Sequence, residues 1–216
     1  MLNGSLIDLL FPSRCAICDR SGKNLCEACR NIILIEPKEL LVAGIPVFTV
    51  TNYSNETSKL LVALKDKGQS ALVTELAQLL RPVIENLPRS ETAIFIVPAP
   101  SRPENFSKRG FHPTLLLAQA IASQNQALQV LNCLRFSRSV MDQVGLSATQ
   151  RLDNLHMSMS LNQPVAGRVC YILDDVVTTG ATVSEAKRVL TLGGATVAGV
   201  LALSYSKGQK PAWAGK

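Results

Sequence analysis

The stretch Val169-Cys-Tyr-Ile-Leu-Asp-Asp-Val-Val-Thr-Thr-Gly-Ala-Thr-Val183 concentrates the chemistry of this sequence. A continuous apolar run gives way to two carboxylates, Asp174 and Asp175. Val176 and Val177 follow, then a small polar loop of Thr178, Thr179, Gly180, Ala181 and Thr182 that opens a helix. Apolar runs of this kind read as parallel strands buried on both faces, and open α/β sheets bind ligands beyond the carboxyl ends of such strands. Gly180 lets the main chain bend and approach a ligand closely. Three hydroxyls and successive backbone amides, running into a helix N-terminus, suit phosphate oxygens. Two carboxylates touching that phosphate would repel it. They make sense facing the hydroxyls of a sugar, with a magnesium ion between them. The pattern therefore implies a phosphate on one side of a ribose and a diol on the other. A bare Asp-Asp would fit an ordinary threonine-capped turn; the whole string is far more specific.

A second element follows an earlier apolar strand, in Ile96-Val-Pro-Ala-Pro-Ser-Arg-Pro-Glu-Asn-Phe-Ser-Lys-Arg-Gly110. Prolines stiffen the exit and place Arg102, Lys108 and Arg109 on a loop near the same sheet edge. Arginine suits bidentate contact with phosphate oxygens, though an ordinary basic surface loop has the same composition. A third element is Cys15-Ala-Ile-Cys18 with Cys26-Glu-Ala-Cys29. Each C-x-x-C turn presents two thiolates, and two turns complete a closed tetrahedral sulfur site, the geometry of structural zinc. Gly22 between them eases the reversal. A redox C-x-x-C belongs at a helix start in a βαβ setting, which is absent here. Cys133 and Cys170 read as buried core residues.

Around these motifs the chain alternates strand and helix. The periodicity predicts a short helix over residues 1–11 and a strand over 47–53, in a hairpin. Helices follow over 56–67, ending at Gly68, and from Ser70, with Leu72, Leu76, Leu79, Leu80 and Val83 on one face. Strands are predicted at 93–97, 128–131, 169–173 and 198–203. A helix starts at Pro113. Ser147 with Gln150, and Thr182 with Glu185, read as capping boxes that open two more helices. Such alternation implies a mostly parallel sheet covered by helices on both faces. The organisation is an N-terminal helix and four-cysteine module over 1–36 and an α/β domain over 45–206.

With 216 residues, 47% apolar and 18% charged, a core is within reach and global disorder is excluded. No apolar run approaches the ~18 residues that span a bilayer, so no membrane span is expected. The first segment lacks the marks of a signal peptide. A cytoplasmic, reducing location fits the clustered cysteines. The net charge of +6 suits an anionic partner, a phosphorylated substrate or nucleic acid, or simply a mildly basic surface.

The string ending at Thr182 resembles the 5-phosphoribosyl-1-pyrophosphate (PRPP) signature of type I phosphoribosyltransferases. The resemblance implies that Asp174 and Asp175 are the catalytic carboxylates, binding the ribose hydroxyls with magnesium nearby. Residues 176–182 would hold the 5-phosphate. Ser101 and Arg102, with Lys108 and Arg109, would take the pyrophosphate. The order of elements as a whole, from about residue 6 to 205, resembles the ComF (ComF/GntX-like) family of competence-associated phosphoribosyltransferase-like proteins. Its parts are the cysteine knuckle, Leu64-Lys65 with Gly68, Val97-Pro-Ala-Pro100, Arg109-Gly-Phe111, Gln143 with Gly145-Leu146, Arg151 with Asn154, and residues 173–182. The sequence departs at His112-Pro113, where the family usually has Asn-Gln. By resemblance Lys65, Arg109, Gln143 and Arg151 join the site, against solvent exposure, loop structure or helix capping as their plain roles.

Two functions follow from the resemblance. One is an enzyme transferring phosphoribose from PRPP to an acceptor, with pyrophosphate leaving. The other is a non-catalytic DNA-uptake component that binds single-stranded DNA, a ComF-type helicase, or both. With 5% aromatic residues and one Trp, a base-stacking platform is not evident.

Overall fold

The computed structural model describes residues 13–88, 93–141 and 145–206. The predicted helix over 1–11 and Gln143 lie outside the described residues.

The sheet runs β1 (Lys38–Val42), β2 (Ile45–Asn52), β9 (Thr196–Tyr205), β7 (Val169–Leu173), β3 (Ile94–Pro98), β4 (Leu128–Val130). A short β8 (Val176–Val177) pairs with the far end of β9. Only β1 is antiparallel to its neighbour; every other pairing in this sheet is parallel. A separate two-stranded ribbon joins β5 (Leu134–Phe136) and β6 (Met159–Leu161).

Alternation along the central strands sorts the sheet into two cores. Tyr171, Leu173, Leu201 and Leu203 face one side, beneath α2 (Asn55–Lys65), α3 (Leu72–Glu85) and α5 (Pro113–Gln124). Cys170, Ile172, Val200 and Ala202 face the other, beneath α7 (Ala181–Leu192) and the ribbon. Period-two alternation in strands buried on both faces explains why their sequence reads as a continuous apolar run. Cys133 and Cys170 are fully buried, as expected of core residues. The apolar face of α3 is the predicted one, with Leu72, Leu76, Leu79, Leu80 and Val83 all buried. Helix α2 is opened by a capping box between Ser54 and Thr57. Among the described residues no helix is long and apolar enough to cross a membrane.

The cysteine module contains α1 (Glu27–Asn31) and packs directly on the first core. Cys15, Leu25, Cys29 and Ile33 belong to the same buried cluster as Leu60, Leu72, Leu76 and Leu80. Arg30 pairs with Glu75 and donates to Gln78 at 2.7 Å, and Gln69 Nε2 donates to the Arg14 carbonyl at 3.2 Å.

Two expectations need correction. Residues 103–109 are not a loop but a short helix, α4 (Pro103–Arg109), with proline at its first turn, Lys108 and Arg109 in its last and Gly110 in the left-handed conformation behind it. The capping box at Ser147 and Gln150 forms at the start of α6 (Ala148–Leu155), but the one at Thr182 and Glu185 does not. Helix α7 starts earlier, with Gly180 at its N-cap and no side-chain cap. Glu185 lies a turn too far inside and turns to the ribbon instead. Its carboxylate accepts from the Met159 amide at 3.1 Å and from Arg188 at 2.7 and 2.8 Å.

Burial alone would push the Glu185 carboxyl up; the Arg188 guanidinium and the Met159 amide together hold it below its usual range. A folded-state pKa below the unfolded one gives stability present above the unfolded pKa and lost as pH falls through the folded pKa. Glu185→Gln is therefore expected to lower stability by about 1–3 kcal/mol at pH 7. The gap to the parent protein should narrow steadily on acidification below the ordinary glutamate range. Urea midpoints measured at pH 7 and in acid check this, and a gap of constant size would refute it.

Candidate functional site

The site is built where β7 ends. Asp174 N still donates to Leu201 O at 3.0 Å, and Leu203 N donates to Asp175 O at 3.1 Å, so the acid pair stays stitched to β9. Val176 and Val177 continue along β9 as β8. Their side chains are buried in the two cores, and both residues border an opening. Thr178 and Thr179 are half-buried, and Thr179 Oγ1 accepts from the Ala181 amide at 3.4 Å. Gly180, at φ +81°, then turns the chain into α7 as its N-cap, and having no side chain it offers no cap to the amides that follow Ala181. Uncapped amides and the positive end of a helix form an anion site. Asp174 and residues 176–183 line a small, open concavity.

The loop is backed by the hairpin expected around the strand at 47–53, whose first strand and tip the sequence reading did not locate. The β1–β2 hairpin closes through Ala43 (φ 48°) and Gly44 (φ 70°), a two-residue loop with both residues left-handed, the turn that matches strand twist. Its tip packs on the loop: a Cβ at Gly180 would stand 2.9 Å from Val42 Cγ1 and 3.5 Å from Ala43 Cβ. Glycine is required there by both backbone and space.

The two acids differ electrostatically. Asp175 is 7% exposed and ion-pairs with Lys65, whose side chain is 15% exposed at the last position of α2. Burial raises the Asp175 carboxyl, but the Lys65 ammonium and hydrogen bonds outweigh it and hold the group below the usual range. Asp174 accepts from the Asp175 amide at 2.9 Å. Burial and the neighbouring Asp175 charge push Asp174 up to about 8. Asp174 is the acid that faces the opening. Hard carboxylate oxygens at that opening fit magnesium's preference.

The second predicted element does converge here. Strand β3 lies beside β7, with Pro98 opposite Leu173 and the Ala99 amide donating to Leu173 O at 2.8 Å. Buried Thr114 pins this exit, donating to the Ala99 carbonyl at 2.7 Å. Ser101 and Arg102 follow, half-buried; Lys108 is exposed. Arg109 reaches back to Asp66 at 3.4 Å. Lys65 is thus not a solvent-facing lysine. It and Asp66 join the acid pair to the basic helix.

Residues 137–141 and α6 pack behind the loop. Val140 and Leu155 pack on Ala181 at the start of α7. Arg138 donates to the carbonyls of Asn154 at 2.9 Å and His156 at 2.8 Å. Buried Asn154 accepts from the Met141 amide and donates to the Met141 carbonyl, both at 2.9 Å. Arg151 sits half-buried on the same helix. Sequence reasoning overlooked Asp66, Thr114 and the hairpin tip. Of these, only the hairpin left a signal in the sequence, the alternation over 47–53 that marks its second strand.

The four N-terminal cysteines gather so that all their sulfurs lie within 4.8 Å of one another. Cys18 and Cys26 sulfurs are 3.7 Å apart, against about 3.8 Å for the edge of a tetrahedron with Zn–S near 2.3 Å. The Cys26 amide points at Cys15 Sγ at 3.4 Å. Burial pushes the Cys15 thiol up, yet amides of Cys26, Cys18 and Ile17 bring it down to about 6. Burial and the surrounding thiols push Cys29 the other way. The set fits a structural zinc ion.

A mostly parallel sheet with an acid pair at a strand end, a glycine-started helix and a four-cysteine module defines a phosphoribosyltransferase-fold protein with an N-terminal zinc ribbon. Residues 6–46 match a family described as Double zinc ribbon domain; the stretch holds four cysteines, enough for one zinc. The chain is 30% identical over 209 residues to DNA utilization protein YhgH of Escherichia coli (strain K12), covering 88% of both chains. It is 26% identical over 189 residues to Competence protein F of Haemophilus influenzae, covering 83% of this chain and 79% of that one. The chain belongs to the ComF family. Two solved structures superpose in part. Phosphoribosylpyrophosphate synthetase from Mycobacterium smegmatis does so at TM-score 0.37 and 16% identity, over 60% of this chain and 32% of that one. Trypanosoma cruzi hypoxanthine phosphoribosyl transferase does so at TM-score 0.37 and 12% identity, over 68% of each.

Proposed function

We propose that residues 174–182 bind PRPP or a related phosphoribosyl ligand together with magnesium. The observation that carries this reading is the open cleft joining Asp174 to the uncapped start of α7. Thr178, Thr179, Thr182 and the loop amides hold the 5-phosphate. Asp174 takes the ribose hydroxyls, with Asp175 behind it. These two acids are also the residues that would hold magnesium, which when bound neutralises charge on the pyrophosphate. Ser101, Arg102, Lys108 and Arg109 face that end of the ligand. In a transfer reaction the acceptor's electron pair forms a bond to the anomeric carbon as the bond to pyrophosphate breaks, and pyrophosphate leaves with its pair. The chain's residues then work by positioning and charge stabilisation.

Calorimetry with PRPP and magnesium chloride tests the reading. Binding is expected, and Asp174→Asn should weaken it by at least about tenfold, the worth of one charge-assisted contact. No heat with the parent protein, or unchanged affinity in the variant, sinks the proposal.

A second reading is favoured by the relatives' names, DNA utilization protein and Competence protein F, and by the net charge of +6. In it the chain works in DNA uptake in a reducing cytoplasm, binding single-stranded DNA or a helicase. Binding of a labelled oligonucleotide that falls with salt and survives Asp174→Asn supports this role; its absence at low salt argues against direct contact with DNA.

A further inference from the structure

Lys65 and Asp66 are neighbours in sequence with opposite charges, and each is turned to a group of the opposite sign at the site. Lys65 ion-pairs with Asp175. Asp66 Oδ1 lies 3.4 Å from Arg109 Nη2, with side chains 51% and 20% exposed. The helix explains the first and not the second. Lys65 ends α2, where a cation is favoured, but Asp66 is the C-cap, where the helix dipole disfavours a carboxylate. The pairing with Arg109 is what Asp66 gains. A cation therefore rests on the acid pair and an anion on the basic helix, held together by one peptide bond. That is the charge arrangement of a metal–diphosphate, positive toward the aspartates and negative toward the arginine.

We propose that the Lys65-Asp66 corner is a built-in stand-in for the magnesium–diphosphate portion of the ligand, keeping Asp175 and Arg109 neutralised in the empty protein and competing with that portion when it binds. The inference rests on the phosphoribosyl reading of the site. It adds that two charged residues beside the ligand oppose binding, whereas residues that contact the ligand favour it. It also explains the asymmetry of the acid pair: Asp175 is masked by Lys65, while Asp174 alone lines the opening.

Titration calorimetry of the full chain with magnesium chloride alone, and with inorganic pyrophosphate plus magnesium, tests this. Asp66→Asn should tighten pyrophosphate binding about two- to fivefold, the range of a partly exposed ion pair. Lys65→Gln, which keeps a hydrogen-bond donor but no charge, should tighten magnesium binding on the order of tenfold. Magnesium should also raise its melting temperature by more than that of the parent protein. A merely structural role for either residue predicts loss of affinity or no change, and either result overturns the proposal. Because Lys65→Gln leaves a buried acid without its counter-charge and can fail to fold, Asp66→Asn at the exposed end decides the matter independently. Should the parent protein bind PRPP while both variants bind like it or more weakly, the stand-in idea fails and the phosphoribosyl reading survives. Should the parent protein bind neither PRPP nor pyrophosphate, both fall.

Discussion

Cys29→Ser is expected to unfold the whole chain rather than its first forty residues. Binding of a structural zinc ion contributes about 10–16 kcal/mol in isolated ribbons and fingers, as much as the entire net stability of a domain at about 5–15 kcal/mol. In many proteins such a module is a separate bead, and its loss is local. Here Cys15, Leu25, Cys29 and Ile33 share one buried cluster with α2 and α3, and the Arg30 pair and the Gln69 bond tie the same surfaces. If the four thiols lose their metal, they leave a crowded cluster against the face of the main core. Calorimetric melting of the parent protein should show a single transition. A strong zinc chelator should abolish it, since the metal's contribution matches the whole net stability. The variant should show no transition at all. A main transition left in place by the chelator would mean that the ribbon is an independent appendage.

The second large effect is expected at Gly180. Gly180→Val forces a branched side chain into left-handed backbone, at a cost of about 1–3 kcal/mol, and sets its Cβ 2.9 Å from Val42 Cγ1. Val42 is buried and β-branched, so it is stiff and cannot swing away; overpacking of this kind costs about 1–3 kcal/mol more. The loop gains relief by lifting off the hairpin tip, and that movement misaligns the amides that the proposed phosphoribosyl reading assigns to a phosphate. Phosphoribosyl affinity is expected to fall on the order of 100-fold, equal to about 2.7 kcal/mol, in a protein whose circular dichroism stays native. Gly180→Ala should fall between the two. Undiminished PRPP binding by Gly180→Val would show that the loop amides do not hold the ligand.

Much of this architecture could be read from one sequence because its signals are local. The buried strand, acid pair and polar loop are contiguous, and the four cysteines lie within fifteen residues. Spacing alone suffices for both. The misreadings have physical causes. Thr182 and Glu185 have capping-box spacing, but Gly180 starts α7 a turn before Glu185 could reach back, and the acid found Arg188. Helix α4 carried proline, acid, base and glycine in the right order, but seven residues of helix gave no apolar face to notice, since none of them is buried. Strands β5 and β6 are three residues each, too short to show alternation. The pairing of Lys65 with Asp175 joins positions far apart in the chain. It depends on how α2 lies on the sheet, which no local pattern encodes.

Asn154 shows how a scaffold residue can pass for a reactive one. Its amide offers a donor and an acceptor side by side, and both are spent on the two main-chain groups of Met141. Aspartate lacks the donor, glutamine is a methylene too long, and an aliphatic replacement leaves both main-chain groups of Met141 without this partner. A saturation screen scored by growth would rank position 154 with the aspartates of the loop, and a chemist reading that map would look for a proton to transfer. The residue is a clasp, and its intolerance would record the geometry of one stretch of backbone rather than any step of a reaction.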